Sequence, residues 1–145
     1  MKKHNITSFY VETLLLVIVF VACILLLTQI FGAAKTASTD AKLLTNAVAL
    51  AENTAEAFSA SDGTESLRAL LDEGGNARID PINPEVVEAF YAADMTPDPD
   101  GMLMVSVVLT REDGLLRGGI SVVRLDTGEA VYSLGTAHYR KEAAQ

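Results

Sequence analysis

The first part of the chain carries two successive patterns of apolar and polar positions. From Thr13 to Ala34, 22 consecutive residues include only three polar side chains. As a helix, this run is roughly 33 Å long, which matches the thickness of a bilayer core. Because no proline precedes Pro81, we expect the helix to continue beyond the membrane surface.

After the apolar run, apolar residues recur at alternating spacings of four and three, which is typical of an amphipathic helix with one packing stripe. The stripe consists of Ala37, Ala41, Leu44, Val48, Ala51, Ala55 and Phe58. The pattern therefore predicts one helix of about 50 residues, membrane-spanning over residues 9–34 and amphipathic over residues 35–58. We expect its outer part, from Ala41 to Phe58, to pack on the remaining domain, residues 59–145.

Short helices are predicted next. The polar cluster Ser59–Gly63 ends the long helix. Thr64 is the predicted cap of a second helix, Glu65–Glu73. Asn83 is the predicted cap of a third helix, Pro84–Tyr91, which has proline in its first turn. The apolar face of the second helix would consist of Leu67, Leu70 and Leu71.

From Met102 the apolar period changes to two, which predicts strands. The predicted strands are Met102–Thr110, Leu115–Leu125 and Glu129–Tyr139, with short turns between them. Gly118 and Gly119 indicate a bulge or kink in the middle strand. Three strands joined in this way form an antiparallel meander, one face of which needs a cover. The predicted fold is therefore α+β, with the long N-terminal helix packed on a small sheet.

Charge indicates the orientation in the membrane. The formal net charge is −8, and from Lys35 onward there are 18 acidic and nine basic residues. Lys2 and Lys3 lie in a leader, residues 1–8, without acidic residues, which favours a cytoplasmic N-terminus and an extracytoplasmic C-terminus. An acidic outer domain lacks the basic surface that direct nucleic-acid binding requires.

Glu12 stands at the start of the apolar run, where a carboxylate either has a function or is solvated among lipid headgroups. A basic leader, the pair Phe9-Tyr10, then Glu12 and an apolar helix form an order that resembles the class III signals of type IV pilins and type II secretion pseudopilins. If Ser8 is the first mature residue, Glu12 is the fifth, as in that family, but Thr7 replaces the usual glycine. If Phe9 is first, the small residue Ser8 precedes the cut and Glu12 is the fourth.

This resemblance implies a pilin-like fold and a structural subunit, such as a minor pseudopilin, of a type IV pilus, a type II secretion-like machine or a DNA-uptake machine. It also implies assembly through the N-terminal helix, with Glu12 facing the new α-amino group of a neighbouring subunit. The implied partners are other pilin-like subunits, an inner-membrane assembly platform, a prepilin peptidase and the lipid bilayer. The alternative is a single-pass membrane protein whose outer domain binds a ligand or a partner.

Candidate catalytic chemistry is sparse. The sequence contains no Cys/His cluster with metal-ligand spacing, no phosphate-binding loop and no nucleophile motif, so we expect neither an enzyme nor a cofactor. Thr96–Gly101 partly matches a calcium loop, although an acidic turn is the simpler interpretation. Phe20–Cys23 resembles a lipidation signal, but we interpret Cys23 as an apolar packing residue. Cleavage of a secretory signal near Ala33 or Ala34 is a further alternative.

Overall fold

The computed structural model describes residues 2–139, and the side chains of residues 6–139. The elements are α1 (Lys2–Ala60), α2 (Thr64–Leu71), β1 (Ala77–Ile79), β2 (Val86–Tyr91), β3 (Leu103–Glu112), β4 (Leu115–Arg124) and β5 (Ala130–Tyr139). The strands form one antiparallel sheet in the order β1-β2-β3-β4-β5. The predicted α+β class, a long helix packed on an antiparallel meander, is confirmed, with five strands in place of the predicted three. The chain divides into two compact units, with the boundary between Ala41 and Lys42.

Helix α1 ends at Ala60, within the polar cluster that predicts its end. Ser61 satisfies a carbonyl of the last turn, because its N–H and its hydroxyl both donate to the Phe58 carbonyl oxygen, at 3.0 and 2.8 Å. A serine directly after the last turn therefore takes up an acceptor that the helix itself leaves open.

The core of the second unit lies between the sheet and the last five turns of α1. The predicted alternation in β3 is confirmed, since its alternate side chains are all buried. The inward side chains are Leu103, Val105, Val107 and Leu109 of β3 and Leu116, Ile120 and Val122 of β4, and α1 covers them with Ala47, Leu50, Ala51 and Phe58. Two of these four residues are alanines, so Leu50 and Phe58 supply most of the side-chain volume that α1 adds to the core.

The helix face that packs on the sheet is only partly the predicted one. Ala51 and Phe58 are buried and Ala55 packs against the core. In contrast, Ala41 is exposed, Leu44 is 46% exposed, and Val48 is half-buried. The prediction that Ala41 and Leu44 pack on the sheet was wrong. Val48 is neither fully buried nor exposed.

The reason is that α1 carries two overlapping apolar stripes that share Ala51 and Phe58. The sheet covers the stripe that contains Ala47, Leu50 and Thr54. At 100° per residue, the centre of this stripe lies about a quarter turn from that of the predicted stripe. The buried hydroxyl of Thr54 donates to the Leu50 carbonyl at 2.7 Å, so a polar side chain enters the core without an unpaired donor.

Helix α2 is shorter than predicted and has a different cap. It begins at Thr64 and its N-cap is Gly63, which provides no side-chain hydrogen bond. The prediction that Thr64 caps the helix was therefore wrong. Leu67 and Leu71 are buried, whereas Leu70 is 49% exposed, because an eight-residue helix presents a narrow face to the sheet.

The third predicted helix, Pro84–Tyr91, is strand β2, and β1 was not predicted. Asp80 organises the turn between them: its carboxylate accepts the N–H of Ile82 at 2.8 Å, and the Asn83 carbonyl accepts the N–H of Val86 at 3.0 Å. These bonds turn the chain before a helix can start. The β-branched and aromatic residues of β2 favour a strand over a helix once a neighbouring strand is available.

The hairpin turns lie where they were predicted. Asp113 and Gly114 join β3 to β4 with positive φ values of 50° and 78°, the geometry of a tight two-residue hairpin turn. The predicted bulge at Gly118 and Gly119 was wrong, since both residues keep a regular register with β3 and β5. The register shift lies instead between Val122 and Val123.

Candidate functional site

The candidate site is the exposed apolar surface of α1. Residues 6–34 are exposed throughout, and the helix contains a window that is long and apolar enough to cross a membrane, with 0% of it buried. Thr28 turns its hydroxyl back to the Ile24 carbonyl at 2.9 Å. The polar atom of this side chain is therefore satisfied within the helix, as a lipid environment requires.

The residues singled out for processing and assembly lie near the start of α1. Thr7, Ser8, Phe9 and Glu12 all belong to the helix, and the Phe9 and Tyr10 rings meet edge to face at 6.3 Å between centroids. Glu12 is exposed and has no ion pair with any residue in the described part of the chain. The Glu12 side chain is therefore exposed to the surroundings of the helix.

A second exposed apolar patch lies in the second unit, on the flank of α1 beside its sheet-facing side. We call the pair Leu44 and Val48 the Leu44 flank. Leu44 is 46% exposed and Val48 is half-buried. Lys42, on nearly the opposite side of the helix at the same level, is exposed as well, so the helix presents an apolar and a charged flank to its surroundings.

In and just before the turn that partly matches a calcium loop, two carboxylates accept hydrogen bonds from nearby residues. Asp98 accepts the N–H of Asp100 at 3.0 Å. Asp94 accepts both the N–H of Thr96, at 3.1 Å, and its hydroxyl, at 2.6 Å. The hydroxyl bond is the main reason that the pKa of Asp94 lies below its ordinary value. In the part of the chain that the structure describes, no three Asp, Glu, His or Cys side chains group as metal ligands.

A shallow cavity of about 200 Å³ lies beside the start of α2. Its lining residues are Thr64, Pro84, Glu85, Leu109 and Arg111. Ligand pockets usually enclose about 300–1,000 Å³ and bury most of the ligand. This cavity therefore gives little support to a small-molecule site in the second unit.

Sequence reasoning did not single out strand β5 as a functional element. Between Ala130 and Tyr139 there is no charged residue and no proline, and the strand lies at the edge of the sheet. The absence of charge was the available signal, because edge strands normally carry charged residues or proline to prevent pairing.

Comparisons of the chain with protein-family models, with curated proteins and with solved structures give no match.

Proposed function

We propose that this protein is a membrane-anchored structural subunit of the pilin-like type, a minor pseudopilin of a type IV pilus, type II secretion-like or DNA-uptake machine. The observation that carries the proposal is the difference in exposure between the two parts of α1. The membrane-length part is exposed throughout, and in the second unit the sheet covers only one face of the helix, leaving Leu44 uncovered. A helix with this surface lowers its free energy by packing against other helices.

The proposal assigns each exposed feature to a contact. The bilayer and the helices of neighbouring subunits surround residues 13–34. The Leu44 flank packs on a neighbouring helix just outside the membrane, and Glu12 faces the α-amino group of a subunit whose leader has been removed near Thr7 and Ser8. A prepilin peptidase and an inner-membrane assembly platform are the further partners. The N-terminus is cytoplasmic and the sheet lies outside the cytoplasm.

Two cysteine variants test the helix contact. Leu44→Cys and Lys42→Cys, each with Cys23→Ser to remove the native thiol, are expressed as full chains in membranes and treated with a short bis-maleimide. We expect a crosslinked dimer from Leu44→Cys and little from Lys42→Cys, because the two residues lie on opposite sides of the same turn region. Equal yields from both variants would contradict a specific helix interface.

The mass of the mature chain separates the two functions. Loss of the first seven or eight residues, with or without N-methylation, supports the pilin-like subunit. A chain that retains Met1 and gives no crosslink at Leu44 supports the single-pass membrane protein instead.

A further inference from the structure

The two edges of the sheet differ strongly in their protection. Strand β1 has three residues, and Pro81 follows it shortly. Its Arg78 forms an ion pair with Glu88 at 2.8 Å and lies over the Phe90 ring at 4.7 Å from its centroid. A short, charged strand followed by proline is poorly suited to further pairing.

Strand β5 has none of this protection along most of its length. It has ten residues, none of them charged, and within residues 2–139 only β4 pairs with it. A register shift at Val131 disturbs its start, but from Tyr132 to Tyr139 the register with β4 is regular. Alternate residues of such an edge direct their N–H and C=O groups away from the sheet.

The inner face of β5 is also incompletely covered. Ile120 and Val122 of the neighbouring strand are 2% and 0% exposed. Their partners across the ladder, Leu134 and Tyr132, are only half-buried. An additional strand beside β5 would bury more of these two side chains if it carried apolar residues on the same face.

Charge at the end of β5 favours one orientation of such a strand. Between Lys42 and Tyr139 there are 16 acidic and six basic residues, and Glu129 directly precedes β5. The neighbouring Asp126 is already paired, because Arg124 donates to its two carboxylate oxygens at 2.9 and 2.6 Å. These bonds hold the pKa of Asp126 below its ordinary value. Among the described residues Glu129 forms no ion pair, so its carboxylate can attract a cation.

We infer that Tyr132–Tyr139 of β5 is a docking site for an extended polypeptide segment, which adds antiparallel to β5 as a sixth strand. The segment has apolar side chains at alternate positions, to cover Tyr132 and Leu134, and basic residues at its C-terminal end, beside Glu129. The partner's backbone supplies most of the recognition, and its alternation and charge supply specificity and orientation. This site is separate from the helix surface of the proposed function and does not depend on it.

A designed peptide tests the inference on the full chain in lipid nanodiscs. The probe consists of four Thr-Val repeats followed by two lysines, a sequence that favours an extended chain. Its matched control has the same sequence with alternate backbone nitrogens methylated, which removes the hydrogen bonds of one edge. We expect the probe to bind at least about tenfold more tightly than the control, with slower amide exchange in β5 and unchanged exchange in β1.

The orientation is tested with Glu129→Lys, a substitution at an exposed residue. The substitution should weaken binding of the probe by about two- to fivefold. A second peptide, with its lysines at the N-terminal end, should then bind more tightly than the probe. Equal binding of the methylated control, or protection outside β5, would overturn the proposal. Protection of β5 that rises with protein concentration and without peptide would assign the edge to a second copy of the chain, and would overturn it as well.

Discussion

The ring of Phe58 lies directly against the backbone of Gly118. A methyl group on Gly118 would stand 2.8 Å from Cε2 and 3.0 Å from Cδ2 of this ring, closer than carbon atoms approach. Phe58 is fully buried and also meets the His138 ring edge to face, at 5.0 Å between centroids. The end of α1 is therefore anchored to β4 and β5 by one aromatic side chain that requires a glycine beneath it.

Gly118→Ala should destabilise the second unit by about 1–3 kcal/mol, because the added methyl group displaces a buried ring. Gly119→Ala is the matched control, since nothing lies within 4 Å of the methyl group that it would add, and its effect should stay within about 0.5 kcal/mol. Urea unfolding of the full chain in detergent measures both. Equal destabilisation by the two substitutions would show that the Phe58 ring does not require a glycine at position 118.

Phe58→Ala should cost about 3–5 kcal/mol, because it leaves a cavity between the helix and the sheet. Leu44→Ala should cost less than about 1 kcal/mol, since Leu44 is 46% exposed and lies on the uncovered flank. The same unfolding experiment compares them. A large loss of stability in Leu44→Ala would show that this residue packs on the sheet.

Asn76 joins the end of α2 to the sheet. It is 1% exposed, its Oδ1 accepts the N–H of Glu73 at 2.8 Å, and its Nδ2 donates to the Phe90 carbonyl at 3.1 Å. Asn76→Ala should cost about 1–3 kcal/mol, because the Glu73 N–H loses its acceptor and the Phe90 carbonyl keeps only the Asp98 N–H, at 3.1 Å. The exposed Asn53 provides the control, and a similar loss from Asn53→Ala would argue against this role.

Tyr91 should make the fold sensitive to alkali. Burial, reinforced by the negative charge of Glu73, raises the pKa of Tyr91 above its ordinary value of 10.0, and a hydrogen bond from the Asn76 side chain offsets part of this. The unfolded chain then releases the proton first, so the stability due to neutral Tyr91 is complete below about pH 10 and is lost as the pH rises through the folded pKa.

Tyr91→Phe should therefore reduce the loss of stability between pH 9 and pH 11, whatever its effect at neutral pH. Urea midpoints across this range measure the difference from the unmodified chain. Tyr139→Phe, which removes a phenol that is 81% exposed, is the control. An unchanged alkaline slope in Tyr91→Phe would exclude this tyrosine as the cause.

Glu12→Gln tests the proposed charge pair between subunits. The variant should insert and fold normally, because glutamine is easier to place near lipid than a carboxylate. It should lower the crosslinking yield at Leu44→Cys by about tenfold or more, since the neighbouring α-amino group would lose its partner. An unchanged yield would leave Glu12 as a solvated residue of the headgroup region.

The long helix and the last three strands follow from the sequence because their determinants are local. Apolar periodicity, the polar cluster around Ser61 and the Asp113-Gly114 turn each act within a few residues. Strand β2 was predicted as a helix because Asn83-Pro84 is compatible with both a helix start and a turn. The choice depends on the carboxylate of Asp80 and on pairing with β3, which lies far along the chain.

The sequence by itself determined that an apolar helix is followed by an amphipathic one, where that helix ends, and where the acidic domain turns. Only the tertiary structure decided which of two overlapping stripes on α1 meets the sheet, that Gly118 makes room for Phe58, and that Leu44 and the edge of β5 remain uncovered. The physical reason is that periodicity reports which positions share a face. Which face becomes buried depends on the shape of the surface that packs against it.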